Sequence, residues 1–165
     1  MGGAARNNIA ALSTTTGVAT GWNPNANNSV NTIAFAGTNV YLGGSFTTVG
    51  GSGRNCVASI DSTSGLATTW NPNSNGKINS LVVSGSNVFA GGAFTNIGGQ
   101  ARNYIAAIDT AGNATSWNPN PVGTSISSLG IFGSNLYVGG TFTNIANQLF
   151  TNFAAIDAVT GGSVW

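Results

Sequence analysis

The sequence predicts an all-β fold: β-propeller blades of four antiparallel strands, about three and a half blades in the chain. Three observations carry this. Trp22, Trp70, Trp117 and Trp165 recur every 47 or 48 residues, and the residues between them recur with them. Each period holds four short runs rich in Val, Ile, Phe, Tyr and Thr and bounded by Gly, Asn, Asp or Pro, the composition of strands and turns. No stretch carries apolar residues at helical spacing between helix caps.

The runs follow one order. Asn-Pro-Asn opens three periods, at 23–25, 71–73 and 118–120. Proline presets φ there and asparagine bonds nearby backbone, which suits a corner between strands. Run a follows, from Val30 to Ala36, Ile78 to Val83 and Ile126 to Phe132. Gly37-Thr38-Asn39, Gly85-Ser86-Asn87 and Gly133-Ser134-Asn135 fit tight hairpin turns that need positive φ. Run b then reads Asn39 to Gly44, Asn87 to Gly92 and Asn135 to Gly140, and a Phe-Thr pair follows each at Phe46, Phe94 and Phe142. A glycine-rich loop leads to Arg6, Arg54 and Arg102. Run c ends on aspartate: Val57 to Asp61, Ile105 to Asp109 and Phe153 to Asp157. Run d closes on tryptophan. The divisions are 1–22, a half-blade of runs c and d, and the blades 23–70, 71–117 and 118–165 of one section. A β-solenoid is the runner-up, but its coils are shorter, about 20–30 residues.

Closed propellers need roughly 4–8 blades. The blade count therefore leaves two readings open: a section of a longer propeller, or a protomer that completes itself by self-association. Unpaired strand edges favour association, and little charge opposes it.

The chain has four Lys or Arg, three Asp or Glu, and no histidine. Ordinary domains carry about 25% charged residues; this one carries 4%. With no His or Glu, the commonest acids, bases and zinc ligands are absent. A net charge of +1 offers no footprint for nucleic acid or anionic lipid. No apolar run approaches the roughly 18 residues of a membrane-spanning helix, and residues 1–6 lack the apolar core of a signal peptide. Cys56, the one cysteine, reads as a small buried strand residue. The neutral, hydroxyl- and amide-rich composition suggests an extracellular or cell-surface location.

The consensus Gly-Gly-x-Phe-Thr-x-Val/Ile-Gly-Gly, Arg-Asn-x-Ile/Val-Ala-x-Ile/Leu-Asp, Trp-Asn-Pro-Asn resembles the repeats of large bacterial extracellular β-propeller proteins of mostly unknown function. More distantly it is similar to the pyrroloquinoline-quinone-type propeller repeat, with its Val-Tyr-Val-Gly and Ala-Leu-Asp strands and closing Trp. That resemblance implies acidic, Arg and Lys groups around a central cofactor. This chain has no glutamate and one lysine, Lys77, so no cofactor is expected. The last repeat departs from the pattern, with Phe150 for Arg and Ala146-Asn147 for Gly-Gly.

Each candidate residue has two readings. Trp22, Trp70 and Trp117 either pack between blades or offer sugar-stacking platforms. Asn25, Asn73 and Asn120 either fix corners or form a row of amides for a polar ligand. Arg6, Arg54 and Arg102 with Asp61, Asp109 and Asp157 form a structural set: arginine to loop carbonyls or a neighbouring Asp, aspartate to the amides of its own turn. Each Asp loop offers one carboxylate, whereas calcium sites gather several oxygens, so no metal is expected. Asn27-Asn28-Ser29 and Asn113-Ala114-Thr115 match the glycosylation sequon. No catalytic constellation is present, so the chain reads as a non-enzyme: an extracellular module with a structural, self-assembly or protein-interaction role. The alternative is a lectin-like propeller that binds glycans through its Trp, Asn and Asp loops. Expected partners are further copies or the remainder of a longer propeller, and a glycan or cell-surface protein, with no nucleic acid and no membrane.

Overall fold

The computed structural model describes residues 5–164. Trp165 and residues 1–4 of the first division lie outside the described residues. The chain is all-β, in small antiparallel sheets that do not close on themselves. Strands β1 (Val30–Ala36), β2 (Asn39–Gly44) and β5 (Val57–Asp61) form the sheet of the first full unit, in the order β1-β2-β5. The second unit repeats it with β6 (Ile78–Ser84), β7 (Asn87–Gly92) and β10 (Ile105–Ile108). The third uses β11 (Val122–Phe132), β12 (Asn135–Asn144) and β13 (Phe153–Asp157). Two-stranded ribbons, β3 (Thr48–Val49) with β4 (Ser52–Gly53) and β8 (Asn96–Ile97) with β9 (Gln100–Ala101), fill the loop after β2 and β7.

The hairpins follow from their turns. Ala36 pairs with Asn39 across Gly37-Thr38, and of these two only Gly37 has positive φ, 57°. Glycine at the first central position makes the two-residue turn whose twist matches its strands. Gly85 (φ 57°) and Gly133 (φ 60°) repeat it.

Run d does not form the fourth strand that the sequence predicts. It touches its sheet through one isolated antiparallel bridge per unit: Ile60 to Ala67, Ile108 to Ala114, Ile156 to Ser163. The reason is visible in the first unit. The Ala67 amide turns aside to bond the Gly50 carbonyl at 2.9 Å, and Trp70 then leaves the sheet for the next unit. Cys56 also departs from expectation. It precedes β5 at a φ of 62°, half-buried, with its thiol pKa raised by burial.

The core lies between units. Tyr41, Val57 and Trp70 of the first pack against Ile78, Leu81, Val88 and Phe94 of the second. Phe89, Ile105 and Trp117 of the second pack against Ile126, Leu136 and Phe142 of the third. Each sheet therefore buries alternate residues on both faces, which is why β5 and β10 read as nearly continuous apolar runs.

Candidate interaction site: the junctions between units and the open cleft

A junction is made by five features that recur with the repeat. The Asn31 side-chain amide donates to the Ile78 carbonyl at 2.9 Å, and Asn79 donates to Ile126 at 2.8 Å. The Leu81 amide donates to Thr32 Oγ1 at 3.1 Å, and Leu129 to Ser80 Oγ at 3.0 Å. A glycine in the middle strand makes room for the next unit. A Cβ on Gly43 would stand 2.5 Å from Ile78 Cγ2, and one on Gly91 would stand 2.7 Å from Ile126 Cγ2. The closing tryptophan clips the junction: the Trp70 indole donates to the Asp109 carbonyl at 2.8 Å, and Trp117 donates to Asp157 at 3.0 Å. Finally, an aromatic of the middle strand meets that indole edge to face. Tyr41 and Trp70 lie 5.0 Å apart at 80°, and Phe89 and Trp117 lie 5.1 Å apart at 79°. Such pairs add about 0.5–1.5 kcal/mol beyond their burial.

Trp70 and Trp117 are buried, their rings engaged in packing between units. Trp22 also donates to the next unit, to Asp61 O at 3.0 Å, but stays half-buried. Asn25, Asn73 and Asn120 sit at positive φ (55°, 53°, 44°), and their side chains bond not to local backbone but to another asparagine. Asn7, Asn55 and Asn103 each donate to that side-chain oxygen, at 2.6, 2.7 and 3.1 Å. The corner prolines accept from the loop after the middle strand of their own unit: Gly50 N to Pro24 O, Gly98 N to Pro72 O, Ala146 N to Pro119 O.

The arginines do not reach an aspartate: no ion pair joins them among the described residues. Arg54 bonds the Gly53 and Thr68 carbonyls at 2.7 and 2.6 Å, and Arg102 bonds Ala101 and Thr115 at 2.7 and 2.6 Å. Arg6 does the same with Ala5 and Thr20. Each thus ties the loop before run c to run d. The aspartates close their own turns. Asp61 Oδ1 accepts from Thr63 N, Ser64 N and Ser64 Oγ, and Asp157 Oδ1 accepts from Val159 N, Thr160 N and Thr160 Oγ1. Asp109 holds Ala111 and Asn113. Hydrogen bonds to Ser64 and Thr63 lower the pKa of Asp61, and those to Thr160 and Val159 lower that of Asp157. The hydroxyl of Ser13, in the same place of residues 5–22, accepts from Thr16 N.

The junction between residues 5–22 and the first full unit is incomplete. Among the described residues, a run c and a run d stand here without a hairpin beside them. Ile9, Trp22, Ile33, Phe35 and Val40 line a cleft of about 230 Å³ in its place. Ile33 is 47% exposed, whereas its equivalents Leu81 and Leu129 are 4% and 8% exposed. Phe35 is 70% exposed.

Sequence reasoning missed Asn31, Thr32, Asn79 and Ser80, which join the units. Their signal was the recurring Val/Ile-Asn-Ser/Thr at the head of run a, read only as strand pattern. No family model and no curated protein matches the chain. Among solved structures it is similar to the computationally designed Ika4 protein, with a TM-score of 0.54 and 13% identity over 84% of this chain and 72% of that one. It is also similar to the computationally designed Ika8 protein, with a TM-score of 0.51 and 13% identity over 83% of this chain. The match spans about 36% of the Ika8 chain. At this identity the likeness concerns the fold alone.

Proposed function

We propose that the chain is a section of a β-propeller of the bacterial extracellular repeat type, acting as a non-catalytic module for structure, self-assembly or protein interaction at or outside the cell surface. The observation that carries this reading is the repeated junction. Two copies of one set of contacts join the three sheets, and the end units keep apolar side chains at the surface. Ile33 and Phe35 flank one end, and Phe132, at 80% exposure, stands at the other. Exposed apolar side chains at the ends of a repeat array mark candidate interaction sites. A repeat array buries its faces by adding neighbours, so a further unit is the natural partner. A net charge of +1 supplies little repulsion against it.

Light scattering across a dilution series tests the reading. The expected result is a mass that rises with concentration to a multiple of 16.4 kDa. A constant 16.4 kDa at every concentration would overturn self-assembly.

A further inference from the structure

Resting on the self-assembly reading, and naming its site and partner, the geometry points to strand exchange: the cleft beside Ile33 and Phe35 receives the β11–β12 hairpin of a second copy, and residues 9–13 take the place of that copy's β13.

Both halves of the missing junction exist on one chain. The cleft side offers an open strand edge. In the full units, run c pairs with the middle strand, as Ala58 with Leu42 and Ile60 with Val40. The equivalent residues Ala10 and Leu12 make no backbone hydrogen bond among the described residues; Thr20 N to Ala11 O and Ser13 N to Val18 O both lie on the opposite edge. The hairpin side offers the matching face. Ser127 and Ser128 stand where Asn79 and Ser80 join the next unit, and both are exposed. Gly139 stands where Gly43 and Gly91 admit an isoleucine. A Cβ on it would meet nothing closer than Ser128 Cβ at 3.8 Å, so the slot is open. In the exchanged pair Val30 enters that slot, Ile33 N faces Ser128 Oγ, and Tyr137 takes toward Trp22 the position that Tyr41 takes toward Trp70.

The exchange replaces like with like. Ile9-Ala10-Ala11-Leu12 matches Phe153-Ala154-Ala155-Ile156, the run now paired with β12. The segment given up is paired with β12 along its length, but it lacks two side-chain ties that residues 5–22 carry. Residues 5–22 carry the Arg6 bond to Thr20 and the Asn7 clip to Asn25. At the same two places the third unit has Phe150 and Thr151, which can make neither contact. Leu149, Phe153 and Val159 are already 87%, 55% and 80% exposed. The connection to β13 also holds two non-glycine residues at positive φ where the other units differ: Ala146 (53°) and Asn147 (60°). Glycine occupies both places in the other units, at Gly50 and Gly51 and at Gly98 and Gly99. Strain of this kind is relieved when the hinge opens, and exchanging an identical element is a low-cost route to association.

A cross-link reads the register directly. Asn135 pairs with Asp157, and Asn39 with Asp61, so exchange sets Asn135 of one copy opposite Ser13 of another. In a Cys56→Ser background, Ser13→Cys with Asn135→Cys should give covalent dimers or longer ladders under mild oxidation. The single variants should give none of these ladders. A second variant gives the third unit the arginine and the loop glycines of the others, with Phe150→Arg, Ala146→Gly and Asn147→Gly. It should weaken association by about tenfold or more, the effect of about 1.4 kcal/mol. Association that persists without the cross-link, or that the restored third unit leaves unchanged, overturns the exchange and leaves the self-assembly reading standing. A chain monomeric at every concentration overturns both.

Discussion

The first two full units and the third are built on one plan, and they differ where the plan is tied down. In the first two, Asn27 and Asn75 cap the loop after the middle strand. Asn27 Oδ1 accepts from Thr47 N and Thr48 N, and Asn75 Oδ1 from Thr95 N and Asn96 N. The middle strand stops at Gly44 or Gly92, and a short ribbon follows. The third unit has no such asparagine. Its hairpin runs on, with β11 and β12 paired out to Val122 and Asn144. It also lacks the arginine tie and the Asn–Asn clip, and it places Ala146 and Asn147 where the others use glycine. A repeat thus keeps its strands through the apolar pattern alone, while its loops depend on single polar residues.

The largest expected effect lies at a complete junction. Trp70→Ala removes a buried ring and should cost about 3–5 kcal/mol in denaturant unfolding. Trp22→Ala, at the incomplete junction, should cost less than half of that. Equal losses would mean that the cleft is closed in solution.

Exchanging the loop residues should give effects of opposite sign. A Cβ on Gly98, at φ 61°, would stand 2.2 Å from the Ala114 amide nitrogen. Gly98→Ala should therefore lose about 1–3 kcal/mol. Ala146→Gly at the equivalent place should gain up to about 1 kcal/mol, strain relief offset in part by backbone entropy. A loss there would show that the third loop is relaxed.

The polar ties between units come next. Asn79→Ala strands the Ile126 carbonyl at a junction and should cost about 1–2 kcal/mol. Ser127→Ala, at the exposed equivalent, should be neutral in the monomer by thermal melting. A cost at Ser127 that appears only at high concentration would locate it in the assembled junction.

The smallest effect is on pH. Asp61 and Asp157 have lowered folded-state pKa values, so their contribution is present above the unfolded value of about 3.9. It is lost as pH falls through the folded value. Melting temperature should fall modestly below about pH 4. The fall should shrink when Asp61→Asn and Asp157→Asn are combined, and an unchanged slope would assign the acid loss elsewhere.

Much of the fold was legible because it is local. Glycine two places before asparagine marks each hairpin turn, alternating Val, Ile and Phe mark the strands, and Asp at the end of run c marks the turn that follows it. The junctions were less legible. Asn31 and Asn79 look like surface residues on a strand, and nothing local says that their partners lie 47 residues on. Trp70 reads as the end of a strand, yet the pull of Tyr41 and the Asp109 carbonyl takes it out of the sheet.

The sequence by itself determined the period, the strands, the tight turns and the scarcity of charge, since each depends on residues close along the chain. Only the tertiary structure decided how one unit meets the next. Run d shrinks to a single bridge, and the glycines of the middle strand become slots. Those outcomes follow from surfaces that come together after the strands have formed, where shape and unpaired backbone groups count for more than local preference.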